Sequence, residues 1–139
     1  MLNYLRRHKL YLVYVPLTVY WLVLLAATSF PAPAFTEFGI SDKVNHFLAY
    51  FILAFMVNLA ITMQEKYLRL KKNSSIKTLF IVSIYAVLDE VHQAFIPGRS
   101  CEFLDWVADF AGAALGIVVL NFILYRIGYP KSTESQTEA

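Results

Sequence analysis

Histidine, carboxylate and amide side chains recur at short intervals in this sequence. Asp42 and His46 are four residues apart, which would place both side chains on one face of a helix. Such a pair can move protons, because a carboxylate can orient an imidazole that acts as acid or base. Glu90 and Gln93, three residues apart, add a second carboxylate and an amide. These residue types could bind a polar ligand or carry out acid–base chemistry.

A stripe of acidic and small residues follows further along the chain. It consists of Asp105, Asp109, Gly112 and Gly116, at successive spacings of four, three and four. These spacings predict that all four residues share one helix face. A Gly-x-x-x-Gly pattern lets two helix backbones approach closely, within one chain or between two copies, so a homodimer is compatible with the sequence.

The composition indicates that membrane helices position these residues. Of the 139 residues, 58% are hydrophobic and only 16% are charged, whereas soluble domains are about 25% charged. Four apolar stretches have the roughly 20 residues that a bilayer core requires. They predict an all-α, integral membrane four-helix bundle formed by one domain, residues 1–139, with a flexible tail at 130–139. The predicted transmembrane helices are 10–29, 44–63, 78–96 and 103–125.

Several classes of partner and cofactor are not expected. The net charge of +2 and the lack of a basic stripe argue against nucleic acid, whereas membrane lipids are expected partners. Cys101 is the only cysteine, so the chain can form neither an internal disulfide nor a thiolate metal site. No segment matches a known metal or nucleophile motif, so no metal and no cofactor is expected, although carboxylates at a spacing of four would admit a metal.

The distribution of Lys and Arg predicts how the helices are oriented. Ten of the twelve precede the first predicted helix, lie in or beside the connection between the second and third, or follow the fourth. Only Lys43 and Arg99 fall at the opposite ends of the helices. By the positive-inside rule, both termini are expected in the cytoplasm and the polar residues at the outer face. A cleaved signal peptide ending near Ala32-Pro33-Ala34 is disfavoured, because the first apolar stretch exceeds the roughly 7–15 residues of such signals.

The polar residues are expected to form one pocket in the outer half of the membrane. A carboxylate at the centre of a membrane helix costs about 2.5–3.5 kcal/mol, so each carboxylate needs a partner. Because a guanidinium can bind a carboxylate through two parallel hydrogen bonds, Arg99 is expected to pair with Asp105 or Glu90. The predicted functional cluster is Asp42, Lys43, His46, Glu90, Gln93, Arg99, Asp105 and Asp109.

Three segments give the sequence a resemblance to the VanZ-like family of membrane proteins. They are 41–47 (SDKVNHF), 89–99 (DEVHQAFIPGR) and 105–112 (DWVADFAG), and the family pattern is D-K-x-x-H, E-x-x-Q-x-F-x-P-x-R and D-x-x-x-N-x-x-G. The chain departs from this pattern at Asp109, where the family more usually has Asn. The resemblance implies a protein of the bacterial cell membrane. It also implies an association with antibiotic resistance, because the member that gave the family its name is associated with low-level resistance to the lipoglycopeptide teicoplanin.

Three functions are compatible with the predicted cluster. In the preferred one, the pocket binds a lipid-linked envelope precursor or a lipoglycopeptide, and the two outer cations hold its anionic group. In the second, the chain is a membrane enzyme acting on a lipid-linked phosphate, with Asp42 orienting His46 as acid or base and Glu90 or Asp109 as its counterpart. Ion or proton translocation ranks last, because the cytoplasmic halves of the helices contain few polar residues.

The predicted orientation can be tested with the single cysteine. Cys101 follows Arg99 in a connection that has only one Lys or Arg, so it should lie outside the cell. A membrane-impermeant thiol reagent added to intact cells should therefore label it. Labelling only after the membrane has been opened would place the cysteine, and with it the polar cluster, on the cytoplasmic side.

Overall fold

The computed structural model describes residues 2–31 and 41–129, and every regular element within these two ranges is a helix. The predicted tail at 130–139 and the candidate cleavage site at 32–34 lie outside the described residues. A π-helical turn, Leu10–Tyr14, leads into the second α-helix. In chain order the α-helices are α1 (Leu2–Arg7), α2 (Val15–Thr28), α3 (Asp42–Met63), α4 (Leu68–Lys71), α5 (Ser74–Gln93) and α6 (Phe103–Arg126).

Three helical stretches are long and apolar enough to cross a membrane. They are Leu10–Thr28, Asp42–Met63 and Phe103–Arg126, and each agrees with a predicted transmembrane helix to within about two residues. The all-helical class is therefore confirmed. The lipid-facing surface is apolar as expected, since side chains such as Val19, Leu22 and Val118 are more than half exposed.

The fourth predicted span corresponds to α5, which differs from the prediction in two ways. This helix starts at Ser74 rather than 78 and ends at Gln93 rather than 96, because the chain turns before Pro97. It also contains Asp89 and Glu90; its 20 residues are long enough to cross a membrane, but its composition does not match that of the other three stretches. The number of four transmembrane helices stays a prediction.

The core of the bundle is the contact between α3 and α6. A Cβ atom added at Gly112 would overlap the backbone carbonyl of Phe47, and one added at Gly116 would overlap that of Phe51. Only glycine allows two backbones to lie this close. The glycine stripe is thus covered by α3 of the same chain, and a homodimer would need a different face.

The other helices pack around this pair. Buried Val82 and Ala86 of α5 join Leu53 and Ala113 in one apolar core. By contrast, α2 lies at the edge and is mostly exposed; the Tyr20 hydroxyl ties it to α3 by donating to the carbonyl of Ala49 over 2.9 Å. The helices therefore form a tight unit of α3, α5 and α6 with α2 against its side.

An uncharged hydrogen-bond network joins the three central helices in the half of the bundle away from the predicted cluster. Asn58 donates to Asn121 over 3.3 Å, and Asn121 donates to Ser75 over 2.9 Å. Thr78 donates to the Asn58 side chain over 3.5 Å. Every member has at least one partner, so these polar side chains are accommodated without a charge.

The close approach of α3 and α6 predicts a strong effect of side-chain size. Gly112→Leu should lower the free energy of unfolding by about 1–3 kcal/mol or more, because the new atoms meet backbone that cannot rotate away. Ala111→Leu adds the same side chain one residue away at an exposed position, so it should change stability by less than about 0.5 kcal/mol. Thermal unfolding in detergent measures the stability of both variants. Equal losses of stability would mean that the close contact at Gly112 does not restrict the size of the side chain there.

Candidate functional site

The polar residues meet at one end of the bundle, where α3 begins, α5 ends and α6 begins. The turn 94–99 connects α5 to the segment before α6 and brings Arg99 back over this end. Most of the charged and amide side chains here are withdrawn from the surface. Those that are less than a tenth exposed are His46, Asp89, Glu90, Gln93, Asp105 and Asp109.

His46 lies among three carboxylates contributed by three helices. Its Nδ1 atom is 3.0 Å from Asp109 Oδ1 and 3.6 Å from Glu90 Oε1. Its Nε2 atom is 4.0 Å from Asp42 Oδ2, one helical turn earlier in α3. The structure thus brings together these four members of the predicted cluster, with the imidazole at the centre.

Lys43 forms an ion pair with two carboxylates at the start of α6. Its Nζ donates to Glu102 over 2.9 Å and to Asp105 over 3.1 Å. The hydrogen bonds from Lys43 and Ser100 hold the pKa of the exposed Glu102 carboxyl below its usual range. The partner of buried Asp105 is therefore Lys43, and the charge of this lysine is already matched.

The predicted pairing of Arg99 with Asp105 or Glu90 is wrong. Arg99 donates instead to the backbone carbonyls of Phe30, over 2.9 Å, and Ala27, over 3.3 Å, and to Gln93 Oε1 over 2.8 Å. The physical reason is the position of Arg99 over the end of α2, where the carbonyl of Ala27 has only a weak 3.5 Å bond from Phe30 and the carbonyl of Phe30 lies beyond the helix, so both can accept these N–H groups. Among residues 2–31 and 41–129, no carboxylate lies within 4.0 Å of the guanidinium nitrogens.

Gln93 and Asp89 form a second set of contacts beside His46. The Tyr50 hydroxyl donates to Asp89 Oδ2 over 3.2 Å, and Gln93 Nε2 donates to the same oxygen over 3.3 Å. Gln93 therefore links Asp89 to Arg99 through its two amide atoms. Both ends of the amide are used, which fixes its orientation.

The sequence interpretation did not include three residues of this site in the cluster. Tyr50 could have been found, because it follows His46 by four residues and so faces the same side of α3. Asp89 adjoins Glu90 in the segment that carries the family resemblance. No spacing rule indicated Glu102, whose contact with Lys43 depends on how α3 and α6 are placed relative to each other.

Three carboxylate oxygens in this region are buried and have no hydrogen-bond partner among the described residues: Asp89 Oδ1, Glu90 Oε1 and Asp109 Oδ2. The other oxygen of Glu90 accepts the backbone N–H of Glu102 over 3.1 Å. Buried polar atoms are usually paired, and an unpaired one marks a strained or functional position. His46, Glu90 and Asp109 also offer ligand atoms that all lie within 4.8 Å of one another, as do Asp42, His46 and Asp105.

A cavity of about 270 Å³ opens next to these groups, between α2 and the central helices. His46, Asp89 and Arg99 line its polar side, and Asp42 lies at the start of α3 beside them. The lining also includes apolar side chains, among them Leu24 and Ala27 of α2 and Ala49 of α3. The cavity could hold a molecule with one polar and one apolar part.

Comparison with known proteins supports the resemblance seen in the sequence. The VanZ/LLP1 family profile matches residues 6–125, which include every residue of the cavity and of the contacts around His46. No match was found among curated proteins or among solved structures. The profile covers most of the chain, and with its apolar helices this protein is a multi-pass membrane protein that belongs to the VanZ/LLP1 family.

Proposed function

We propose that this chain is a bacterial envelope protein whose outward-facing cavity binds the anionic group of an amphipathic ligand without changing it chemically. The ligand class is a lipid-linked envelope precursor or a lipoglycopeptide such as teicoplanin. The main observation behind the proposal is that Arg99 lines the cavity and donates hydrogen bonds only to neutral acceptors.

Arg99 has capacity for an anion. A guanidinium has five N–H donors, and three of them are used here, by Gln93 and by two backbone carbonyls. Its positive charge faces no carboxylate within ion-pair distance among the described residues. A phosphate or carboxylate group entering the cavity would be held by charge and by hydrogen bonds together. The earlier expectation that Lys43 also holds the anion is set aside, because Glu102 and Asp105 already neutralise it.

The apolar side of the cavity favours a ligand with a hydrocarbon portion. Leu24 and Ala27 belong to α2, the helix at the edge of the bundle whose outer surface is exposed and apolar. A ligand with its anionic group at Arg99 could extend its chain along this wall toward lipid. The hydrocarbon would then stay out of water, which contributes about 0.8 kcal/mol for each buried methylene group.

The proposed orientation of the chain in the membrane requires that α5 makes a fourth crossing. With 20 residues, α5 is about 30 Å long, which equals the thickness of the hydrocarbon core. Asp89 and Glu90 are buried against neighbouring helices and do not face lipid, so they do not oppose insertion. Four crossings, together with the distribution of Lys and Arg, support a topology with both termini in the cytoplasm and the cavity at the outer face.

An enzyme acting on a lipid-linked phosphate is the second candidate, and one observation favours it. His46 lines the same cavity as Arg99 and is within hydrogen-bonding distance of Asp109, so an acid or base lies beside the proposed anion site. Recovery of a bound isoprenyl phosphate unchanged after prolonged incubation would favour binding. Release of inorganic phosphate would favour the enzyme.

Ion or proton translocation has less support. Its path would need titratable groups in the other half of the bundle, where the central helices are joined by the uncharged network of Asn58, Asn121, Ser75 and Thr78. Such groups would have to relay a charge across roughly half the membrane, and amide and hydroxyl side chains do so poorly without continuous water.

The role of Arg99 can be tested by Arg99→Lys. The lysine retains the positive charge but loses the planar arrangement of donors, so binding of teicoplanin or of a long-chain isoprenyl phosphate should weaken about tenfold. Binding would be measured on the purified chain in nanodiscs of neutral lipid. Expression in a teicoplanin-sensitive bacterium should show a parallel loss of protection.

Arg126→Lys is the matched control, because Arg126 is exposed at the other end of α6. It should leave ligand binding and stability unchanged. Thermal unfolding of the ligand-free Arg99→Lys chain would be measured alongside. If neither ligand binds the unsubstituted chain, or if Arg99→Lys binds both as well as that chain does, the proposed anion site is wrong.

A further inference from the structure

We propose that His46, Glu90 and Asp109 bind one divalent transition-metal ion of the zinc or manganese type. The three side chains come from α3, α5 and α6, so the ion would sit where the central helices meet. This site was not expected from the sequence, in which no metal motif is present, because its ligands are far apart along the chain. The proposal does not depend on Arg99 or on the ligand-binding role of the cavity.

The separation of the ligand atoms is suitable for a metal ion. Two ligands about 2.0–2.1 Å from zinc at a tetrahedral angle are about 3.3 Å apart. His46 Nδ1 is 3.0 Å from Asp109 Oδ1 and 3.6 Å from Glu90 Oε1, and these values lie on either side of that separation. A small movement of side chains would therefore be enough to admit the ion.

The unpaired oxygens are an independent observation. Glu90 Oε1 and Asp109 Oδ2 are buried without a hydrogen-bond partner, and the two side chains are only 5% and 0% exposed. Glu90 Oε1 is also the atom that lies nearest to His46 Nδ1 on this residue. Leaving such oxygens unpaired in an apolar bundle is costly, whereas a metal ion bound by Glu90 Oε1 and by both oxygens of Asp109 would satisfy them.

The balance of charge also indicates a cation. Within the described ranges, Asp89, Glu90 and Asp109 have no Lys or Arg within 4.0 Å, because Lys43 is directed to Glu102 and Asp105. A protonated His46 would supply at most one positive charge for these three carboxylates. A divalent ion supplies two, and it leaves the imidazole neutral as a ligand.

The ligand types narrow the class of metal. Imidazole favours zinc and other transition metals, whereas carboxylates favour harder ions such as manganese, so one imidazole and two carboxylates suit both. Three protein ligands would leave a coordination position open, as in catalytic zinc sites. Asp42 Oδ2 lies 4.0 Å from the remaining ring nitrogen of His46, which is beyond hydrogen-bond distance, so a shift of the exposed Asp42 side chain would be needed for it to orient the imidazole.

The alternative set of Asp42, His46 and Asp105 fits less well. Asp105 is hydrogen-bonded to Lys43 over 3.1 Å, and a metal ion would have to compete with that ammonium group. The Asp42 side chain is 65% exposed, so it has water as an alternative partner. The observations therefore favour the buried set.

The experiment measures metal binding by the full chain purified in detergent. The protein would be stripped with a chelator and then titrated with Zn²⁺ or Mn²⁺, and bound metal would be counted by mass spectrometry after removal of free ions. One ion per chain and a rise in the unfolding temperature are expected. Asp109→Asn and Glu90→Gln should each weaken binding about 100-fold or more, since losing even an outer partner costs about 10- to 100-fold.

Controls separate loss of the site from loss of the fold. Without metal, Asp109→Asn and Glu90→Gln should unfold at or above the temperature of the unsubstituted chain, because each removes one negative charge from three buried carboxylates that have no Lys or Arg within 4.0 Å among the described residues. Asp89→Asn changes a buried carboxylate outside the set, so metal binding should stay the same. Asp105→Asn should also retain the ion. If this variant lost the ion, the metal would belong to the alternative set and the proposal would be wrong. The proposal is equally wrong if the stripped chain binds neither metal, or if the two ligand variants bind it normally.

Discussion

The burial of carboxylates inside an apolar bundle is the constraint on which the rest of this structure depends. Asp89, Glu90, Asp105 and Asp109 are all less than a tenth exposed. Each charge withdrawn from water needs a nearby polar or charged partner, because the apolar side chains of the surrounding helices do not solvate it. The partners within the described residues differ: Asp105 has a lysine, Asp89 has a tyrosine and an amide, and Glu90 and Asp109 share one histidine and each keep an oxygen without a hydrogen bond.

The two cations at this end of the bundle consequently have different surroundings. Lys43 is bound by two carboxylates, whereas Arg99 is bound by an amide and by the carbonyls at the end of α2. The same arginine therefore both attaches α2 to the turn after α5 and faces the cavity. This division leaves Arg99 without a carboxylate within ion-pair distance in the described part of this VanZ/LLP1 family member, which the proposed anion site requires.

The sequence was informative where a pattern is local and less so where it depends on assembly. The apolar stretches predicted Leu10–Thr28 and Phe103–Arg126 closely, because hydrocarbon thickness fixes their length. The spacing of four residues predicted that Asp42 and His46 share one face of a helix, and their side chains do lie 4.0 Å apart in α3. The partners of Arg99 were missed, because backbone carbonyls near a helix end are not visible in residue types. The contribution of Leu24 to the cavity was missed because it depends on how α2 packs against the central helices.

The contact of Gly112 with the backbone of Phe47 also determines the accuracy of the site. Phe47 adjoins His46, and Asp109 lies three residues before Gly112 on the same face of α6. The 3.0 Å separation of His46 and Asp109 is thus set by two main chains in direct contact, without a flexible side chain between them. Because the two main chains cannot move apart or together without losing this contact, the backbone itself limits how far His46 and Asp109 can shift relative to each other.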